Sequence, residues 1–194
     1  MPLDPQVEYV LGLVAKSPYP EFHTVSPEEA RDIFEQTAPA LNIRPENVYR
    51  SEDLWIDGID GDIPIRIYTP HAPAAHEKLP VLVFYHGGGF VIGSLDSYDS
   101  LCRALANRAE CIVISVDYRL APEQKFPAAA NDALEAYQWV ADHAHELGGD
   151  ATRLAIAGDS AGGNITAVTA IRIRDEGEVA PLLQVLIYPV LDAT

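Results

Sequence analysis

The chain has 194 residues, 48% hydrophobic and 22% charged, a composition that fits one globular domain with a sizeable core. Acidic residues outnumber basic ones by 29 to 13, and a formal charge of -16 repels nucleic acid and anionic membrane surfaces, which excludes polyanion partners. We read the acidity as solvated surface rather than as a cation site.

Met1 to Leu11 has no basic leader, and nowhere do eighteen apolar residues follow one another, so the expectation is a cytoplasmic protein without a membrane span. Within residues 1–45, a helical segment, Val7, Val10, Leu11 and Val14 recur at three- and four-residue steps, which is one face of a helix. A second helix starts at Ser26, whose hydroxyl can cap it. Pro27 suits its first position and Glu29 completes a capping box ahead of Ile33 and Phe34. Such a segment ordinarily serves packing.

From residue 46 onward the pattern changes. Val48 to Ile56 and Ile63 to Tyr68 alternate as an antiparallel hairpin around Gly58 and Gly61, placed at a sheet's edge. Apolar runs then alternate with helical stretches: strand Val81 to Tyr85, helix Ser97 to Arg108, strand Ile112 to Val116, helix Ala128 to His145. Strand Leu154 to Ala157, helix Ala161 to Arg174 and strand Leu182 to Tyr188 follow. Continuous Val, Ile and Leu strands separated by helices require a mostly parallel sheet covered on both faces, an α/β fold. Cys102 and Cys111 lie among apolar neighbours and away from any metal-ligand pattern, so they read as two buried free thiols with no metal.

Two motifs carry chemistry. Gly158-Asp159-Ser160-Ala161-Gly162 sits between a strand and a helix, where a tight turn holds the serine out at the sheet's carboxyl edge. At the start of that helix the Ala161 N–H has no intrahelical partner and is free to donate to an oxyanion. His86-Gly87-Gly88-Gly89-Phe90 directly follows another strand, and a bare loop there can point its N–H groups at a bound carbonyl. A G-x-S-x-G alone is weak evidence. Paired with the glycine loop two βα units earlier, it is strong.

With both motifs in view, the sequence resembles a hormone-sensitive-lipase-type esterase of the bacterial branch that carries GDSAGG. The likeness extends over Gly93-Ser94, Asp117-Tyr118-Arg119-Leu120-Ala121-Pro122-Glu123, Phe126-Pro127-Ala128-Ala129 and Ile187-Tyr188-Pro189. The resemblance implies an α/β-hydrolase fold and a cofactor-free carboxylesterase for short to medium acyl esters, with Ser160 as nucleophile. It also implies Gly88, Gly89 and Ala161 as oxyanion donors, and a cap that includes the helices before residue 45. His86 and Asp159 stand behind these groups, with loop structure and helix capping as competing explanations.

The family's order is serine, then acid, then histidine, and neither partner is found after Ser160 in this sequence. The chain therefore reads as the N-terminal two-thirds of such a protein, a fragment inactive by itself. Its last strand would expose an apolar edge to the missing C-terminal segment or to another copy. The six histidines, His23, His71, His76, His86, His143 and His145, read as loop or surface residues rather than as the base.

Two rival readings remain. One is a gibberellin-receptor-type binding module, which resembles the same esterases. The other is a nucleotide-binding domain, suggested by Gly87, Gly89, Gly93 and Asp117 but wrong in spacing for G-x-G-x-x-G.

Overall fold

The computed structural model describes residues 2–74 and 76–192. Two helices open the chain, α1 (Pro5–Val14) and α2 (Pro27–Leu41), joined through a short 3-10 turn at Phe22–Thr24. There follow β1 (Arg50–Ile56), β2 (Ile63–Thr69), β3 (Leu79–Tyr85), α3 (Asp99–Ala109), β4 (Ile112–Val116) and α4 (Ala128–His143). The chain continues through β5 (Gly149–Asp159), α5 (Ala161–Glu176) and β6 (Leu183–Ile187).

The six strands form one sheet in the order β1-β2-β4-β3-β5-β6. The hairpin is antiparallel and β2 runs antiparallel to β4, while β3, β4, β5 and β6 are mutually parallel. This is the mostly parallel α/β sheet expected from the alternation of apolar strands and helices, and it is the α/β-hydrolase fold that the resemblance implies. One detail differs: of the two hairpin strands only β1 is an edge, because β2 lies between β1 and β4. All five residues of β4 are buried, as a strand covered on both faces must be.

The two faces have separate cores. On one, Val83, Tyr85, Ile114 and Ile156 pack with Leu134, Tyr137, Val140, Ile165 and Ile173 from α4 and α5. On the other, Tyr68, Phe84, Val113 and Ala157 pack with Cys102 and Ala106 of α3. Cys102 and Cys111 are both buried and free, and burial pushes their thiols up to about 12 and about 11 respectively.

The two N-terminal helices differ. Ser26 caps α2, its hydroxyl accepting the Glu29 N–H at 3.1 Å, and Ala30, Ile33 and Ala38 are buried. By contrast α1 buries none of its residues, and the face built by Val7, Val10, Leu11 and Val14 stays 40 to 55% exposed. Periodicity supplies an apolar stripe there but no surface to receive it. No helix among the described residues is long and apolar enough to cross a membrane.

Candidate active site

Strands β3 and β5 pair in parallel up to Tyr85 and Gly158, so the loops leaving them emerge side by side at the sheet's carboxyl end. At the end of β5 the chain reverses into α5 within one residue. Ser160 takes φ 52° and ψ -115°, a region that L-residues occupy at a cost of about 1–3 kcal/mol. The surroundings hold it there. Its N–H donates to the Ile187 carbonyl at 2.9 Å, and its carbonyl accepts from Asn164 N at 3.1 Å and Val190 N at 3.2 Å.

Small residues make the bend possible. A Cβ on Gly162 would strike the carbonyl oxygens of Tyr85 and His86, and one on Gly158 would strike the Gly162 carbonyl. The start of α5 therefore lies directly against the root of the glycine loop. Ala161 is its first residue and is 1% exposed. Its N–H belongs to the first turn, where no helical carbonyl is available.

The glycine loop is shaped by its own backbone. The Gly88 carbonyl accepts from both Val91 N and Ile92 N at 3.0 Å, closing a tight turn in which Gly88 has φ 126° and Gly89 φ 60°. Glycine is required at position 88, since a Cβ there would meet the Ile92 carbonyl. Among the described residues, neither the Gly88 nor the Gly89 N–H donates to a backbone carbonyl.

Asp159 connects the two pieces. Its Oδ1 accepts the Gly87 N–H at 2.9 Å and its Oδ2 accepts the Tyr98 hydroxyl at 2.9 Å. The Tyr98 oxygen in turn accepts the Gly87 N–H at 3.0 Å, and the Tyr188 hydroxyl reaches Asp159 Oδ2 at 3.4 Å. Burial raises the pKa of the Asp159 carboxyl, while the bonds from Tyr98 and the Gly87 N–H oppose that rise. Nothing in the sequence pattern singled out Tyr98. Its signal is a contact 61 residues apart.

His86 is fully buried at the base of the loop, stacked on Tyr118 with ring centroids 4.4 Å apart. Its Nδ1 lies 2.7 Å from the Gly87 carbonyl, its own carbonyl accepts the Tyr118 hydroxyl at 2.6 Å, and its Nε2 has no hydrogen-bond partner among the described residues. The nearest carboxylate oxygen is on Asp117, 4.0 Å away. Desolvation lowers His86 to about 4, so the ring is neutral, and partial burial with Asp96 and Glu35 nearby raises Asp117 to about 6. Gly93 packs against the His86 ring.

Of the other histidines, His23 engages Glu21, His71 the Ala72 carbonyl, His143 the Trp139 carbonyl and His145 Glu146, and His76 is exposed. A cavity of about 350 Å³ opens beside the loop. Gly89, Phe90, Ala129, Ile165 and Val168 line it together with Asn164, one turn along α5 from Ser160. Among the described residues no His, Cys, Asp and Glu cluster could hold a metal ion.

A strand-turn-helix elbow carrying a strained serine, beside a glycine loop at the same end of the sheet, defines the class. Residues 82–194 match the family described as the alpha/beta hydrolase fold, and the chain belongs to that family. The likeness to hormone-sensitive-lipase-type esterases read from the sequence holds. The chain is 47% identical to the carboxylesterase NlhH of Mycobacterium tuberculosis over 162 residues, which cover 84% of this chain and 50% of that protein. It is 42% identical to an ethyl acetate hydrolase of Pseudomonas putida over 174 residues, 89% of this chain and 55% of the relative. A solved hyperthermophilic esterase from the archaeon Pyrobaculum calidifontis superposes with a TM-score of 0.89 at 47% identity, covering 97% of this chain and 59% of that one. The chain spans about half the length of the curated relatives it matches.

Proposed function

We propose that the protein is a carboxylic-ester hydrolase that works through an acyl-enzyme on Ser160. Supporting the reading are relatives named carboxylesterase, esterase and ethyl acetate hydrolase. The observation that carries it is the strained Ser160 at the tip of β5, joined through Asp159 to the glycine loop.

The serine oxygen attacks the ester carbonyl, and the alkoxide that forms takes hydrogen bonds from the N–H groups of Gly88, Gly89 and Ala161. These donors are fixed before substrate arrives, so the developing charge is stabilised without reorganisation. The tetrahedral intermediate collapses by releasing the alcohol, and water hydrolyses the acyl-serine. Asp159 and His86 hold the loop rather than touch the substrate. The apolar cavity beside Gly89 is suited to a short or medium hydrocarbon group.

The reaction also needs a base for the Ser160 proton and an acid to orient that base. Among the described residues no histidine hydrogen-bonds Ser160, so we assign both roles to the part of the relatives' length that this chain does not span. By this assignment the 194-residue chain alone is inactive beyond what oxyanion binding supplies. We read the helices before residue 45 as part of a cap over the site.

The test is labelling of the full-length protein by a fluorophosphonate, with the modified residue located by mass spectrometry, together with the burst on p-nitrophenyl esters. Labelling on Ser160 is expected, and Ser160→Ala removes both label and burst. An undiminished burst in that variant refutes the assignment. A full-length protein that neither labels nor turns over, yet binds a small acid, points to the receptor reading instead.

A further inference from the structure

The entrance of the glycine loop is held by Asp159 and Tyr98, but its exit leads away toward residues 90–97. There the structure brings in a helix from the other end of the chain. The Arg31 Nε on α2 donates to the Val91 carbonyl at 2.8 Å, and its Nη2 donates to the Ala121 carbonyl at 3.0 Å. The Ala121 N–H itself donates to the Phe90 carbonyl at 2.8 Å. One guanidinium thus bridges the two backbone segments, 90–91 and 121, that are already hydrogen-bonded to each other.

Glu123 holds the guanidinium plane in place, its two carboxylate oxygens accepting from Nη1 at 2.9 Å and Nη2 at 2.6 Å. Paired forks of this kind fix orientation as well as charge. Two further side chains fasten the same helix along the same segment. Glu35 accepts the Ser94 hydroxyl at 2.8 Å, and Asn42 donates to the Ser97 carbonyl at 2.9 Å. Residues 31 and 35 are four apart and share a helix face, so α2 lies lengthwise over residues 91–97.

We infer that Arg31 is a positioning residue for the oxyanion loop, setting from α2 where the turn that carries the Gly88 and Gly89 N–H groups comes to rest. The reasoning is mechanical. The 88–92 turn is closed by bonds from Val91 N and Ile92 N to the Gly88 carbonyl, so a shift of Val91 moves the donors with it. Arg31 supplies the bond from outside the turn that fixes the Val91 carbonyl. A side chain that touches no substrate therefore acts on the transition state through the placement of its donors. The inference rests on the functional reading above, and it ties the N-terminal helical segment to catalysis by a stated contact.

The experiment uses the full-length protein as wild type, Arg31→Ala, Arg31→Lys and Glu123→Gln. Hydrogen exchange of peptides covering residues 87–93 is compared with that of β3 and β5, and kcat and KM are measured on p-nitrophenyl butyrate. Arg31→Ala is expected to speed exchange in 87–93 about 10- to 100-fold while the strands are unchanged. It should lower kcat by about 10- to 100-fold with KM within about twofold, the pattern of a lost transition-state interaction. Arg31→Lys keeps one donor and should recover part of both effects. Glu123→Gln, which leaves the two carbonyl bonds in place, should fall between Arg31→Lys and wild type.

Exchange in 87–93 that is unaltered, or that rises only in proportion to every other segment, overturns the inference, as does a rise in KM with kcat kept. Should Arg31→Ala fail to fold, the Lys and Gln variants carry the same comparison. Ser160→Ala separates this from the functional reading. If that variant still hydrolysed ester, the functional reading would fall, whereas the exchange data would still decide whether Arg31 holds the loop.

Discussion

The two glycine-rich turns at the carboxyl end of the sheet share steric exclusion at Gly88, Gly158 and Gly162 and differ in which residue takes the unusual backbone angle. In the elbow, the glycines at 158 and 162 have ordinary backbone angles, and a side chain is excluded because neighbouring carbonyls occupy its place. The unusual angle falls on Ser160. In the loop, Gly88 and Gly89 themselves take positive φ, and at position 89 a Cβ would meet nothing within 4 Å. The elbow is thus constrained by packing beside the backbone hydrogen bonds of Ser160, and steric contact is insensitive to solvent and pH. The loop is held by conformation and by hydrogen bonds from distant residues, which are sensitive to both. A rigid nucleophile and a tied-down set of donors fail in different ways.

The largest expected effect breaks the elbow. Gly162→Ala drives a methyl group into the backbone carbonyls of Tyr85, at the end of β3, and His86, at the root of the loop, where rotamer change gives no relief. A loss of about 3 kcal/mol or more is expected by urea unfolding, with activity lost in parallel. A variant that unfolds like wild type and only works more slowly would show the contact to be soft.

The loop should break the other way, in function before stability. Tyr98→Phe removes a donor to the Asp159 carboxylate and an acceptor for the Gly87 N–H, leaving Gly87 on Asp159 Oδ1 alone. A bond to a charged group contributes about 1.5–3 kcal/mol, and the half-buried setting puts the cost at the lower end. The same deletion leaves Asp159 with less support for its charge, which raises its carboxyl pKa further above the ordinary value. A carboxyl raised in the folded state loses stability as pH rises through its range, so the deficit of Tyr98→Phe should grow from acid to neutral pH. Urea midpoints at several pH values, beside kcat, measure both. A deficit that does not change with pH would mean that Tyr98 supports packing and not the carboxylate.

Much of this was legible in advance because the informative signals are local. The order of strands and helices follows from continuous apolar runs such as Val81 to Tyr85 and Ile112 to Val116, which suit only a buried parallel sheet. Both motifs lie within five residues of a strand's end, so sequence alone puts them on turns. Boundaries were less legible where polar residues join an element for reasons outside it. β5 begins at Gly149 rather than Leu154 because Gly149 pairs with Leu79 across the sheet. Helix α3 begins at Asp99 because the Ser97 hydroxyl is engaged by the Ser94 N–H in the preceding turn. The ties that hold the glycine loop, from Tyr98 to Asp159 and from Arg31 to Val91, join residues about 60 apart and have no periodicity to reveal them. In α1 the pattern misleads in the other direction: an apolar stripe is present and nothing covers it.

The smallest effect expected is also the most specific, because it isolates the root of the loop. Asp117, raised to about 6, keeps a proton in the folded chain between its unfolded value near 4 and 6, so raising pH across that window lowers stability. His86, lowered to about 4, excludes a proton that the unfolded chain binds below about 6.5, so raising pH across nearly the same window increases stability. The two slopes oppose one another in the native protein. Asp117→Asn removes the first and leaves the second. Solvent screens the side chain, which is 36% exposed, and the gain at pH 7 should be about 1 kcal/mol. Acidification from pH 6.5 to 4 should then erode the variant's advantage, because wild-type Asp117 takes up its proton and loses its penalty while His86 imposes the same slope on both proteins. Urea midpoints that run parallel in variant and wild type across this range would show that the buried imidazole and its neighbouring carboxylate do not offset each other. A crossing or converging pair of curves would place a charge-sensitive element at the root of the loop, separate from the slope that Asp159 contributes from the elbow.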